Sequence, residues 1–240
     1  MKRIAWIVAA AVLVASPLAW GQGRSDADVV RLFNGEDLSG WKLFIPDENV
    51  DPATVWQVRD GVIHCTGDPA GYIRTTEEHE NYLLRFDWRW PEAGGNSGLL
   101  MHISGEDMVW PKSIEAQLMS GNAGDFFIIE GTDFKERVNK DDRRVAKKES
   151  SSEKPLGEWN TMRARVVGDT ITVWVNGVLQ NTATETTVTK GYIGLQSEGT
   201  PIEFRNITLR PIDPDRARRP ERGERGERGM RGERGRAVEE

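Results

Sequence analysis

Residues 170–180 read TITVWVNGVLQ. Ile171, Val173 and Val175 alternate with Thr172, Trp174 and Asn176, so the aliphatic residues share one face of an extended strand. Asn176-Gly177 then marks a tight reversal, and a second apolar run follows at once. An Asn-Gly pair between two such runs is a hairpin signature. The pattern spreads outward from there. Tyr82, Leu84, Phe86, Trp88 and Trp90 fall on one face of a strand, and Leu83, Arg85, Asp87 and Arg89 on the other. Asp60-Gly61 follows WQVR, and Gly94-Gly95 follows a break at Trp90-Pro91. No segment sustains a helical period with caps. Short strands with close turns predict an all-β fold: a single-domain antiparallel β-sandwich or jelly roll.

The ends of the chain read differently. Met1-Lys2-Arg3, an apolar run from Ile4 to Ala15, and Ser16-Pro17-Leu18-Ala19-Trp20-Gly21 have the three regions of a secretory signal peptide. A cut after Gly21 is expected, with export to the periplasm or the extracellular space. The apolar run is short for a membrane span, which needs about 20 apolar residues. Residues 213–240 place glycine every third residue from Gly223 to Gly235 among arginines and glutamates. Such a tail buries too little apolar area to fold and is expected to be disordered. Residues 28–212 remain as the domain.

Cys65 is the sole cysteine, so no internal disulfide can form. It is expected to pack as a small hydrophobe. No Cys/His pair stands at zinc-ligand spacing, and no cofactor is called for. A divalent metal stays open, with Asp47, Glu48 and Asp51 as conceivable calcium ligands. Net charge is −6. The leader is positive and the tail slightly so, which leaves the domain near −9. Nucleic acid and stable membrane insertion are poor prospects for so acidic a domain. Neutral or cationic small ligands suit it better, and nothing in the sequence sets an oligomeric state.

Several strands carry polar residues on one face. In Asn96–Ile103, NSGLLMHI, the residues Ser97, Leu99, Met101 and Ile103 make the better core face. Asn96 and His102 then share the opposite one, with Gly98 between them. Glycine inside a strand often marks close approach of a ligand or backbone. In SIEAQLM, Glu115 and Gln117 stand side by side, opposite Ile114, Ala116 and Leu118. In GYIGLQSEG, Tyr192, Gly194, Gln196 and Glu198 oppose Ile193 and Leu195. Together these faces suggest a sugar-sized groove. Trp41, Trp110 and Trp159 sit beside turn or polar residues, where a ring could stack on a sugar. Residues 121–158 read as a long surface connection, loop-like around Phe126-Phe127-Ile128-Ile129 and then dense in charge and serine. Such a connection is either a binding loop or a solvated excursion.

Glycosidases of the standard kind need two carboxylates flanking the bond. Two residues on from Glu115 the sequence has Gln117, an amide. One carboxylate among amides suits proton abstraction beside a carbonyl, with donors for the developing oxyanion.

LFNGEDLSGW, GVIHC, GYIRT, NSGLLMHI, SIEAQLM, GEWNTMRARVVGDTITVWVNGVLQ and GYIGLQSEGTPIEFRNITLRPI together resemble the 3-keto-disaccharide hydrolase domain family. The resemblance runs from about Val29 to Ile212. It implies a concanavalin-like jelly roll, exported, acting on glycosides oxidised at C3. Asn96, Ser97, Gly98, Glu115, Gln117, Gln196, Arg205 and Asn206 match shared positions, with Arg205-Asn206 equally suited to pinning strand ends. Where relatives often carry an arginine after the NSG strand, this chain has Met101-His102. A C3 ketone acidifies the C2 hydrogen, so a base can trigger loss of the C1 substituent, and water then adds. Glu115 and His102 are the expected catalytic pair. Asn96, Ser97, Gln117, Gln196, Glu198 and Trp110 are the expected substrate contacts. A non-catalytic lectin-like module and an ordinary glucanase are the alternatives.

Overall fold

The computed structural model describes residues 29–217. The expected signal peptide and residues 218–240 of the expected disordered tail lie outside them. The strands, in chain order, begin with β1 (Val30–Arg31), β2 (Trp41–Phe44), β3 (Trp56–Arg59), β4 (Val62–Cys65) and β5 (Gly71–Thr75). Next come β6 (Tyr82–Arg89), β7 (Gly98–Ser104), β8 (Lys112–Gln117), β9 (Phe126–Ile129) and β10 (Arg144–Val145). The last are β11 (Asn160–Val167), β12 (Thr170–Val175), β13 (Val178–Ala183), β14 (Tyr192–Ser197) and β15 (Ile202–Pro211). Two helices of four residues, α1 (Pro52–Val55) and α2 (Pro214–Ala217), complete the described elements. The second lies at the start of the segment expected to be disordered.

Two antiparallel sheets face each other, as the alternating strands require. The first runs β13-β12-β11-β6-β15-β4-β3, with β1 on β15, and the second runs β10-β9-β8-β7-β14-β5-β2. This is the expected β-sandwich of the concanavalin-like jelly-roll type. Phe86, Trp88 and Phe204 from the first sheet meet Leu99, Ile114, Phe126 and Leu195 from the second, all in one buried cluster. Cys65 belongs to that cluster, and burial pushes its thiol up to about 11, as an inert packing residue requires.

The turns follow their residue chemistry. Val175 pairs with Val178 across a two-residue loop in which Asn176 and Gly177 both have positive φ, 50° and 86°. Asp60-Gly61 closes β3–β4 in the same way, with φ of 50° and 75°. Both match the hairpin turn whose twist suits its flanking strands.

Two local readings change. Phe126–Ile129 is strand β9, paired with β8, and not a loop. Its Phe126 and Ile128 fill the core. The second change is a bulge in β7. His102 has φ of 60°, and the register slips on both sides of it. An extra residue reverses the parity of the strand beyond it. His102 therefore turns inward, fully buried, with its ring edge-on to Tyr82 at 6.1 Å. Ile103 turns outward to join Leu100 in a small apolar cluster.

Gly177→Ala tests the turn chemistry directly, because a Cβ there meets nothing within 4 Å. The cost is then purely the left-handed backbone, about 1–2 kcal/mol. The urea midpoint should fall with an unchanged slope.

Candidate functional site

The site forms on the outer face of the second sheet. Glu115 stands between Leu100 on β7 and Phe127 on β9, its register partners. Apolar neighbours on both sides explain why its side chain is hidden from water, although it points away from the core. Gly98 makes the room: a Cβ there would lie 2.3 Å from Glu115 Oε1 and 2.4 Å from Gln196 Oε1. The two side chains lean over the glycine from opposite strands. Glu115 Oε1, both amide atoms of Gln196 and Asn96 Oδ1 are buried without a hydrogen-bond partner. A buried unpartnered polar atom costs roughly 1–3 kcal/mol. A cluster of them is best explained by something that binds there.

A pocket of about 180 Å³ opens beside these atoms. Asn96, Glu115, Gln117, Glu198, Arg143 and Trp110 line it, with Met119 and Phe127. It is smaller than the ~300–1,000 Å³ of sites for drug-sized ligands. One wall comes from the connection between β7 and β8. Asp107 in that connection accepts from Tyr72 Oη at 2.6 Å and Arg74 Nε at 3.0 Å, and it pairs with Lys42. The connection is thereby pinned across β14 to β5 and β2, and Trp110 follows three residues later. Arg143 reaches the mouth because β10 pairs with β9 and Ile128 N–H donates to the Arg143 carbonyl at 2.9 Å.

The electrostatics separate the two carboxyls. Burial, then repulsion from Glu198, push Glu115 up to about 8, against the pull of Arg143. Burial also raises Glu198, while the Asn96 side chain and Arg143 pull it back. Glu198 is only half-buried. At neutral pH the site therefore favours a protonated Glu115, with the Glu198 carboxyl and the Arg143 guanidinium beside it. Two carboxyls in environments of unequal burial are suited to acid–base work.

Not every expected residue arrives. His102 does not share a face with Asn96, because the bulge sends it into the core. Its Nδ1 lies 3.0 Å from the Val188 carbonyl, and burial holds its pKa down at about 4. Ser97 donates to the Gln196 carbonyl at 2.9 Å and ties two strands. Gln117 lines the pocket, but its Oε1 accepts from the N–H groups of Leu118 and Met119, leaving Nε2 for a ligand. Trp41 is buried and donates to the Leu32 carbonyl. Trp159 lies under Arg89 and Arg205 on the other sheet. Asn206 donates to Asp87 there at 2.8 Å, so Arg205-Asn206 has a strand-pinning environment. Asp47 and Asp51 cap local turns. Arg143 was missed. Its segment reads equally as a binding loop or a solvated excursion, and nothing in the sequence distinguishes it from Arg144, which instead pairs with Asp125 at 2.7 Å.

The model for the 3-keto-alpha-glucoside-1,2-lyase-like domain matches residues 28–210. The chain belongs to that family. One relative is the 3-keto-disaccharide hydrolase of Bacteroides thetaiotaomicron, 22% identical, with 78% of this chain and 80% of that protein covered. A crystal structure from Parabacteroides distasonis, provisionally assigned as a glycosyl hydrolase, superposes with a TM-score of 0.58 at 25% identity, covering 77% of this chain and 99% of that one. The carbohydrate-binding module CBM66 of Bacillus subtilis shares the fold, with a TM-score of 0.54 at 14% identity over 71% of this chain and 95% of that one.

Gly98→Ala should leave the fold intact while displacing the Glu115 and Gln196 side chains. Ligand binding or turnover should fall at least tenfold with little change in the urea midpoint. A second expectation concerns pH. Folding raises Glu115 from 4.5 to about 8, so the folded state holds a proton that the unfolded chain releases between those values. Stability from this group is full below about 4.5 and lost as pH rises through 8. Glu115→Gln should therefore gain stability relative to wild type as pH rises across that window, read from thermal unfolding at pH 5 and pH 9.

Proposed function

We propose that the protein cleaves 3-keto-glycosides by elimination followed by hydration, at the pocket over Gly98. The observation that carries this reading is a buried Glu115 that favours its neutral form, set beside the half-buried Glu198, Arg143 and unpartnered amides. Elimination needs an acid and a base at once. Ionised Glu198 takes the C2 proton, and the electron pair moves toward the C3 carbonyl oxygen as an enolate. Arg143 and the amide of Gln196 stabilise that oxygen. The enolate then expels the C1 oxygen, and protonated Glu115 donates to it as it leaves. A 1,2-unsaturated ketone results. Water adds at C1 and a proton returns to C2, for net hydrolysis. Glu115 thus takes the acid role in the forward step, because its burial favours the neutral form. Asn96, Gln117 Nε2 and Trp110 position the ring. The family description and the name of the Bacteroides relative support the same substrate class. Export goes with this proposal, resting on Met1–Gly21.

A second reading has one observation in its favour. Glu198 supplies the second carboxyl whose absence at position 117 argued against ordinary hydrolysis of unoxidised glycosides. The two readings separate in one assay of 3-keto-glucosides and plain glucosides in parallel. Elimination predicts turnover of the 3-keto substrate alone, with an unsaturated ketone absorbance before hydration. Glu115→Gln and Glu198→Gln should each reduce kcat by at least a hundredfold. Turnover of the plain glucoside would favour the second reading, and binding without turnover of either would make the domain a lectin.

A further inference from the structure

The outer face of the first sheet carries a separate feature. Arg163 on β11 and Arg85 on β6 are direct register partners, so two cations stand side by side. Like charges directly opposite are destabilising. Trp174 on β12 is the next partner in that row, and the Arg163 guanidinium lies 4.2 Å from its ring centre. Arg85 in turn faces Thr208, and Thr208 faces Arg31 of β1. One residue row away, Arg165 and Arg210 flank Leu83.

Two carboxylates on this face already have partners. Asp87 is bound by Thr161, Asn206 and Arg205, and Glu203 by Arg89 and His64. Among the described residues no ion pair includes Arg31, Arg85, Arg163, Arg165 or Arg210. Arg85 and Arg163 are exposed. A domain whose net charge is strongly negative thus concentrates on one sheet five arginines that form no ion pair among the described residues. Their mutual repulsion is relieved if an anionic partner lies across them.

We infer that this arginine face binds an acidic polysaccharide, with the chain lying across the strands from Trp174 toward Arg31. Strands are about 4.8 Å apart, so the row presents one cation every ~5–10 Å. That matches a polymer with about one carboxylate per sugar ring. Duplex nucleic acid, with a charge every ~1.7 Å, is far denser, and the negative remainder of the domain repels it. Arginine forks pair with carboxylates in two-point contact. The edge of Trp174 and the apolar Leu179, 44% exposed, offer a platform at the far end.

The face is on the opposite sheet from the pocket, so binding would hold the protein on a polymer while the pocket stays open. The test is retention of the full chain on immobilised polygalacturonate, neutral dextran and vesicles containing phosphatidylglycerol. Wild type should bind polygalacturonate with an affinity that falls as salt rises, and should ignore dextran. Arg85→Glu/Arg163→Glu should weaken binding at least tenfold, with urea midpoint and pocket activity unchanged. Arg85→Ala/Arg163→Ala, should the reversal not fold, should weaken it severalfold. Lys140→Glu, an exposed residue elsewhere, should change it little. Absence of wild-type binding, equal binding by the arginine variants, or preference for the vesicles would overturn the inference. Because the arginine variants keep the pocket, failure here leaves pocket turnover untouched.

Discussion

A carboxyl group held away from water without a partner is the constraint around which the second sheet is arranged. Glu115 points out of the sandwich, yet Leu100 and Phe127 on its register neighbours and the β7–β8 connection hide it. Keeping it there as an isolated carboxylate would be expensive, so the neutral form is favoured. Gly98 gives the carboxyl its space, and any side chain at that position would occupy it. The bare amide of Gln196 approaches from the other side. Each of these features destabilises the empty domain a little. The core between the sheets, built from Phe86, Trp88, Phe204, Leu99 and Phe126, is what tolerates them.

The two sheets carry different charge clusters on their outer faces. The second gathers Glu115 and Glu198 in a pocket with one guanidinium. The first gathers Arg31, Arg85 and Arg163, whose neighbours across the strands are arginine, threonine and tryptophan. Both arrangements rest on alternation along the strands, which turns most of the large apolar residues inward. The proposed chemistry and the proposed polymer contact therefore use opposite sides of one core and need no contact with each other.

Alternation made most of this legible in the sequence. Glu115, Gln117 and Gln196 fall on outward faces because residues two apart share a face, and the hairpin at Asn176-Gly177 follows from the positive φ that those two residues tolerate better than others. His102 was misplaced for an equally local reason. One residue with φ of 60° reverses the parity of β7, and nothing in Leu-Met-His-Ile announces it. Gln117 shows another limit: residue type gave the face, but not that its oxygen caps the turn at Leu118 and Met119. Arg143 was illegible because it reaches the pocket through a pairing between β9 and β10, and charge density alone did not separate it from its neighbours.

Carbon-13 NMR titration of the glutamate side-chain carboxyls, with Glu115→Gln to assign the resonance, measures the central claim directly. A Glu115 carboxyl that titrates near 8, and moves downward in Glu198→Gln, is the predicted result. A Glu115 carboxyl that titrates near 4.5 and ignores Glu198 would contradict it, and would remove the physical basis for an acid at this position.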